Sequence, residues 1–215
     1  METMVIPREV KKVVTNSHYI RQLRSSLSLS DYQKEVVVGT ILGDGSLLAN
    51  AWGKHYRLQI SHSADQKELV EWKHKVFRNF TLQEPSYETS HQAWKFKTIS
   101  HPQFTEYHHV FYRGGKKVVP PNITEILTPV GLTVWFMDDG ALGTRGEGYI
   151  LNTQSFNLDD QIKLKECLVD KFGIRYVTFH KDRRWLRLYI GKYSIRQFAS
   201  LVEDQCLPSM RYKLS

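Results

Sequence analysis

Two apolar segments of this chain each run directly into an Asp-Gly pair. The first reads VVVGTILGDGSLL, Val36 to Leu48, and the second reads LTVWFMDDGAL, Leu132 to Leu142. When Asp44 is aligned with Asp139, the apolar residues before the acids coincide, and so does the glycine after each acid. An apolar run of this length that stops at a charged turn favours a buried helix ending at the edge of a core.

Start and stop signals for helices flank both segments. Ser30 offers an N-cap before the first, and Thr128-Pro129 offers an N-cap and a first-turn proline before the second. Gly45 and Gly140 provide a permissive backbone where the segments end. Both segments are therefore predicted to be helices that end in an acidic turn.

The order of patterns that follows each helix also repeats. After the first come strand, helix, strand and helix patterns at residues 56–63, 66–80, 93–99 and 103–111. After the second the same order occupies residues 148–156, 159–172, 185–190 and 193–204. The duplication predicts an α+β protein with two equivalent halves.

A turn-rich link, RGGKKVVPPN, separates the halves, because its glycines and prolines interrupt any regular period. The predicted organisation is a basic N-terminal extension, a first half, a linker and a second half. Their predicted bounds are residues 1–29, 30–115, 116–127 and 128–215.

The charge of the chain points to a polyanionic partner. Its formal net charge is +8, and residues 1–115 and 116–215 each carry 15 basic and 11 acidic residues. Because the excess is spread evenly, it does not reside in a detachable tail. Nucleic acid is the partner that this pattern favours, with an anionic membrane surface as the weaker alternative.

The remaining composition predicts a soluble, intracellular protein without membrane association. No stretch resembles a signal peptide, and VVVGTIL is far shorter than a membrane span. Cys167 and Cys206 lack a nearby second cysteine, so both are expected to be ordinary reduced thiols.

The two acidic helix ends indicate a metal site. Helices that are apolar on most sides are expected to bury against each other, and Gly39 and Gly43 share a face that permits close approach. The carboxylates would then repel each other, and the helix dipoles, unless a cation lies between them. Oxygen-only ligands favour Mg²⁺, with Mn²⁺ or Ca²⁺ as substitutes, and such ions support phosphodiester hydrolysis.

A lysine follows each acid at nearly the same distance along the chain. Lys117 lies 73 residues after Asp44, and Lys213 lies 74 residues after Asp139. Both lysines stand near prolines, in KKVVPP and LPSMRYKL. The agreement with the repeated element order predicts that each lysine accompanies one acid.

Polar and basic side chains alternate with apolar ones along the predicted strands, as expected for a sheet with one face available to DNA. Arginine, lysine, glutamine and asparagine can all bind base edges in the major groove. The predicted DNA-contacting residues are Arg57, Gln59, Ser61, Lys95, Lys97, Lys116, Asn152, Gln154, Arg183 and Arg187.

VVGTILGDG and LTVWFMDDG resemble the signature helices of the LAGLIDADG homing endonucleases, in the single-chain form that carries two motifs. The resemblance extends to LNTQSF after the second helix and YKL at the end of the chain, and covers roughly residues 30–215. It implies two αββαββα halves related by a pseudo-twofold axis, with saddle-shaped antiparallel sheets that bind the DNA major groove. The paired central helices would hold the metal ions.

The resemblance also implies roles for individual residues. Asp44 and Asp139 carry over as the metal-binding acids, and Lys117 and Lys213 as basic residues near the scissile phosphates. The Asp138 side chain does not carry over as a ligand, although the backbones of Gly43 and Asp138 are further candidate oxygen donors. The second helix departs from the pattern at Val134, where a packing glycine often stands.

The favoured function is therefore a homing endonuclease that makes a metal-dependent double-strand break at a long, asymmetric DNA target. A single chain with both motifs is expected to act as a monomer. Two alternatives use the same scaffold, namely an RNA-binding intron maturase and a DNA-binding regulator that does not cut. Retention of both acids and both lysines favours the nuclease.

Overall fold

The computed structural model describes residues 17–51, 53–143 and 146–215. The helices are α1 (His18–Ser26), α2 (Asp31–Leu42), α3 (Lys67–Val76), α4 (Pro102–Phe111), α5 (Ile123–Ile126), α6 (Pro129–Asp139), α7 (Leu158–Asp170) and α8 (Ile195–Val202). The strands are β1 (Ser46–Ala49), β2 (Tyr56–Ser63), β3 (Ser86–Glu88), β4 (Ala93–Lys97), β5 (Tyr112–Arg113), β6 (Lys116–Lys117), β7 (Gly140–Leu142), β8 (Gly148–Leu151), β9 (Val177–Asp182) and β10 (Trp185–Gly191). Of the predicted N-terminal extension, only residues from 17 onward are described.

The chain forms two compact units that interleave along the sequence. The first contains the described residues up to Gln33 together with Gly45–His108, and the second contains Lys34–Asp44 and His109–Ser215. Most of α2 therefore belongs to the same unit as α6. The predicted boundaries at residues 30, 116 and 128 follow the sequence repeat and stay predictions.

The first unit is built on a four-stranded antiparallel sheet with the strand order β1-β2-β4-β3. Helix α3 packs on β2 and β4, where Leu58 and Ile60 are fully buried. Arg57, Gln59 and Ser61 alternate with these residues, as the sequence pattern predicts. One sheet face therefore enters the core, and the other carries polar side chains.

The second unit has a sheet of the same connectivity, with the strand order β7-β8-β10-β9. Helix α7 packs on β9 and β10, and α8 packs against α6. The prediction that one element order occurs twice is confirmed, and so is the α+β class with antiparallel sheets.

Local hydrogen bonds begin α2 and α6 where the sequence predicts. Ser30 Oγ accepts from the N–H of Gln33 at 3.2 Å, and Gln33 Oε1 accepts from the N–H of Ser30 at 3.0 Å. This reciprocal pair is a capping box. At α6, Thr128 Oγ1 accepts from the N–H of Gly131 at 3.2 Å, and Pro129 is the first helical residue.

Helices α2 and α6 approach closely within the second unit at a pair of glycines. A Cβ atom on Gly39 would lie 2.2 Å from the Gly131 carbonyl oxygen and 2.7 Å from Val134 Cβ. The predicted close approach at Gly39 is therefore confirmed. Val134 fits at the position where a packing glycine often stands, because Gly39, which faces it, has no side chain. On α6 the backbone comes closest to α2 at Gly131.

Two expectations about chain geometry at this end are wrong. The predicted strand over residues 148–156 ends at Leu151, because its partner β7 begins only at Gly140, directly after α6, and the N–H of Phe156 donates to the Thr153 carbonyl in a turn. Gly140 has an extended backbone, with φ −78°, which any residue can adopt. Backbone conformation therefore does not explain why glycine stands at this position. A Cβ atom there would lie 2.1 Å from the Phe136 ring, so close packing excludes a larger residue.

Candidate active site at the ends of α2 and α6

Three aspartates meet where α2 and α6 end, all within the second unit. Asp44 lies two residues after Leu42, the last residue of α2, and Asp138 and Asp139 are the last two residues of α6. The backbone N–H of Asp44 donates to Asp138 Oδ2 at 3.3 Å. The sequence prediction that the two acidic helix ends come together is thus confirmed in its geometry.

The surroundings of Asp139 oppose its negative charge. Burial is the main cause that raises the pKa of its carboxyl to about 7, and the charges of Asp44 and Asp138 raise it further. Lys117 and Lys213 act in the opposite direction but do not outweigh these causes. A site that disfavours its own carboxylate charge is one where a bound cation lowers the free energy.

Both predicted lysines lie at the acidic ends. Lys117, on β6, donates through Nζ to the Gly43 carbonyl at 2.6 Å. Lys213, in the short helical turn Pro208–Lys213, donates to the Met137 carbonyl at 2.6 Å and the Asp138 carbonyl at 2.9 Å. Each lysine therefore binds the carbonyl directly before one of the two aligned acids.

Lys213 is a buried cation that the carboxylates offset. It is 7% exposed, and burial lowers the pKa of its amine, while the charges of Asp138, Asp44 and Asp139 raise it. Burying an amine next to three carboxylates is favourable only when their charges compensate one another. The charges of the lysines and the acids therefore stabilise one another.

The donor set suits a hard divalent cation completed by further oxygens. Within the described ranges, no three His, Cys, Asp or Glu side chains are grouped closely enough to enclose a metal. Asp44 and Asp139 offer carboxylates, and the carbonyls of Gly43 and Asp138, directly before them, are further oxygen donors at the same helix ends. Mg²⁺ commonly binds one or two protein carboxylates and completes its shell with water and substrate phosphate.

The raised pKa of Asp139 predicts a pH dependence of the metal-free fold. Its neutral carboxyl contributes stability that is fully present below its ordinary pKa of 3.8 and is lost as pH rises through about 7. We expect the free energy of unfolding in EDTA to fall more steeply between about pH 4 and pH 7 for the wild type than for Asp139→Asn. Urea titrations at several pH values measure this difference, and parallel pH profiles for the two proteins would contradict it.

Predicted DNA contacts of the first unit line one groove of about 860 Å³. Its walls include Arg24, Arg57, Gln59, Lys95 and Lys97, all from the first unit. Ser61 is exposed farther along β2, and Lys95 pairs with Glu88. The sequence prediction did not assign Arg24 to this group, since it precedes the repeated pattern and only the folded chain brings α1 to the sheet.

The predicted contacts of the second unit occupy less regular positions. Arg183 stands in the turn between β9 and β10 with φ 56°, and Arg187 on β10 pairs with Asp182 at 3.3 Å. Lys116 is exposed on β6. Asn152 lies beyond the end of β8, where its Nδ2 donates to the Asp139 carbonyl at 2.9 Å. Its neighbour Gln154 donates to Asn152 Oδ1 at 3.3 Å.

Other sequence expectations concern cysteines and membrane spans. Cys167 and Cys206 are free thiols in the interior, as predicted. In the described part of the chain, no helix combines the length and the apolar character needed to cross a membrane.

Comparison with known proteins places these features in a family context. The sequence pattern that defines the LAGLIDADG DNA endonuclease family matches residues 34–198. The cytochrome b mRNA maturase bI2 of Debaryomyces hansenii is 30% identical over 192 residues, which cover 84% of this chain and 72% of that protein. The probable intron-encoded endonuclease 1 of Wickerhamomyces canadensis is 28% identical, over 93% of this chain and 91% of its own length.

A solved structure matches nearly the whole chain. The homing endonuclease I-WcaI, bound to its DNA recognition sequence, superimposes with a TM-score of 0.87 at 25% identity. The match covers 98% of this chain and 99% of that protein.

Proposed function

This chain belongs to the LAGLIDADG DNA endonuclease family, and on that premise we propose that it makes a metal-dependent double-strand break at a specific, long and asymmetric DNA target. The observation that carries the proposal is the arrangement of two acids at adjacent helix ends, each preceded by a carbonyl that binds a lysine. DNA binding alone does not require these four groups to be arranged in this way.

The proposed chemistry assigns a role to each group. Asp44 and Asp139 supply the charged oxygens that hold a divalent cation, for which Mg²⁺ is our choice and Mn²⁺ a substitute, and the carbonyls of Gly43 and Asp138 supply neutral oxygens. When bound, such a cation activates a water molecule and stabilises the leaving oxygen of a phosphodiester. Lys117 and Lys213 place positive charge beside the acids, where it stabilises the charge that develops on the scissile phosphate.

The target is proposed to be long and without internal symmetry. The two sheets carry different side chains on equivalent strands. Strand β2 presents Arg57 and Gln59, which are partly exposed, whereas every residue of the equivalent strand β8 is buried. A single chain with two unlike surfaces suits two unlike half-sites. The net charge of +8 supplies the sequence-independent part of the affinity.

A maturase function is the second candidate, because a relative 30% identical to this chain is named an mRNA maturase. That function would use the basic surfaces to bind intron RNA. It gives no reason for two lysines at the carbonyls before two acids, and we therefore rank it below cleavage. A DNA-binding regulator that does not cut meets the same objection.

Incubating the purified chain and Mg²⁺ with a supercoiled plasmid library that carries random inserts tests the proposal. Sequencing linearised plasmids should return one long, asymmetric consensus. Cleavage should stop in EDTA, because the acids then lack their cation. Absence of any linear product across Mg²⁺ and Mn²⁺ concentrations, together with tight binding to a folded intron RNA, would favour the maturase.

Lys97→Ala is expected to weaken DNA binding with little effect on folding. Lys97 is exposed in the groove of the first unit, so its removal should reduce the number of counterions released on binding. We expect the slope of log affinity against log salt to become shallower by about 1. Lys75→Ala is the matched control, since Lys75 is exposed on α3, which packs on the buried face of that sheet. Equal salt slopes for both variants would place the DNA elsewhere.

Arg24→Ala tests whether α1 contributes to the same DNA surface. Arg24 lines the groove, and its carbonyl accepts from His101 Nε2 at 3.1 Å, which fixes this end of the helix. Losing a positioned guanidinium should cost about 1–3 kcal/mol of binding free energy if it contacts a base, and less for a phosphate contact. Arg21→Ala, one turn earlier and exposed, is the control. Affinity measurements that rank Arg21 above Arg24 would remove α1 from the interface.

A further inference from the structure

The side chain of Asp138 reaches from the end of α6 to the main chain that follows α2. Its Oδ2 accepts the backbone N–H of Asp44 at 3.3 Å, and the residue is only 6% exposed. A buried carboxylate on one helix thus contacts the acid that belongs to the other. The resemblance to the family gives the Asp138 side chain no role as a ligand, so its burial beside two other acids calls for another explanation.

Gly43 provides the room for this contact. A Cβ atom on Gly43 would lie 2.5 Å from Asp138 Cβ and 2.6 Å from Asp138 Oδ2, distances at which atoms must move apart. Gly43 and Asp138 occupy equivalent positions, each directly before the acid of its own helix. Because Gly43 has no carboxylate, it cannot make the reciprocal contact to Asp139.

The two acids are anchored by different means. The Asp139 carbonyl accepts from both the backbone N–H and the side-chain Nδ2 of Asn152, at 3.0 and 2.9 Å. Asp44 lies beyond the last helical residue and is exposed, in a position where helix ends commonly fray. The hydrogen bond that the N–H of Asp44 donates to Asp138 Oδ2 restrains the main chain at this point.

We infer that Asp138 is a positioning residue, which holds the main chain of Asp44 so that its carboxylate is directed correctly for DNA cleavage. The inference rests on the proposed endonuclease function. It assigns the essential property of Asp138 to its hydrogen-bond acceptor and not to its negative charge. A side chain of the same shape with a neutral acceptor should therefore serve nearly as well.

Asp138→Ala and Asp138→Asn separate the acceptor from the charge. Alanine removes both, whereas asparagine keeps an oxygen that can accept from Asp44. We expect single-turnover cleavage of the selected target to fall about 10- to 100-fold in Asp138→Ala, since small misplacements of a reacting group cost this much. Asp138→Asn should recover most of the loss. DNA affinity in EDTA and the thermal unfolding midpoint should change little in either variant.

Gly43→Ala provides a second route to the same defect. The added methyl group would lie too close to both Cβ and Oδ2 of Asp138, so it should displace that side chain and slow cleavage, although the acids, the lysines and the backbone carbonyls named in the chemistry all remain. The double variant Gly43→Ala/Asp138→Ala should be no slower than the slower single variant, because both changes break one contact and their effects are not additive. Full multiplication of the two losses would show that they act independently and would overturn the inference.

Three further outcomes would overturn it. They are cleavage by Asp138→Ala at the wild-type rate across the Mg²⁺ titration, cleavage by Asp138→Asn as slow as by Asp138→Ala, and a loss of cleavage matched by equal losses of DNA affinity and thermal stability. A wild-type protein that cleaves no DNA contradicts the proposed function itself. Wild-type cleavage with an unaffected Asp138→Ala contradicts only the positioning role.

Discussion

Replacing Asp44 or Asp139 with asparagine is expected to lower DNA cleavage by roughly a thousandfold or more while target binding is kept. Asparagine retains the size of the side chain and an oxygen, but it lacks the charge that holds a divalent cation. The predicted DNA-contacting side chains Arg57, Gln59, Lys95 and Lys97 belong to the first unit, whereas both acids belong to the second, so neither substitution removes them. The loss should therefore appear in the chemical step.

The measurements for this prediction are single-turnover cleavage in Mg²⁺, target affinity in EDTA and thermal unfolding without metal. Asp204→Asn is the matched control, because Asp204 is exposed in the same unit and is not among the charges that perturb Asp139. Metal-free Asp139→Asn should unfold at a temperature equal to or above that of the wild type, since it removes a carboxyl that burial and two like charges disfavour. Near-normal cleavage by either variant would remove that acid from the mechanism.

Features that depend on neighbouring residues could be predicted from the sequence. The capping hydrogen bonds of Ser30 and Thr128 join residues three positions apart, so composition and spacing are enough to place the helix starts. The alternation of Leu58 and Ile60 with polar residues similarly identifies the buried face of β2. The duplication extends these local signals over the whole chain and leads to the repeated strand order.

Features decided by packing could not be predicted. The strand pattern over residues 148–156 continues through Asn152, but the strand ends at Leu151, because its partner β7 begins only at Gly140, directly after α6. The backbone of α6 comes closest to α2 at Gly131 and not at Val134. Val134 can keep its side chain because Gly39, which faces it on α2, has none. Such outcomes depend on distant partners that a single sequence does not reveal.

The candidate site shows the same division. Nearly equal spacing predicts that Lys117 and Lys213 lie near the two acids, and in the structure both amines bind the carbonyls directly before them. Their binding to the carbonyls of Gly43 and Asp138 does not follow from spacing, because it depends on the direction of long, flexible side chains. The contact of Asp138 with Asp44 is likewise hidden in the sequence, where Asp138 is simply the neighbour of Asp139.

Gly39→Ala is expected to destabilise the second unit by about 3 kcal/mol or to prevent its folding, since an extra methyl group in a closely packed contact forces the backbone to shift. The new Cβ would lie 2.2 Å from the carbonyl oxygen of Gly131, which belongs to a helix backbone and cannot rotate away. Alanine favours a helix over glycine by about 1 kcal/mol, so this gain offsets only part of the cost.

Two other glycines of the second unit provide a graded control. At Gly131 an added Cβ would lie 3.1 Å from a Leu127 methyl group and 3.2 Å from the Glu35 carbonyl, which small adjustments can accommodate. At Gly191 the nearest atom, Tyr176 Cβ, would be 3.6 Å away, an ordinary van der Waals contact. Urea unfolding of the metal-free alanine variants should therefore rank their losses as Gly39 first, then Gly131, then Gly191. A Gly39→Ala protein as stable as Gly191→Ala would mean that the two helices are not held together by close backbone contact.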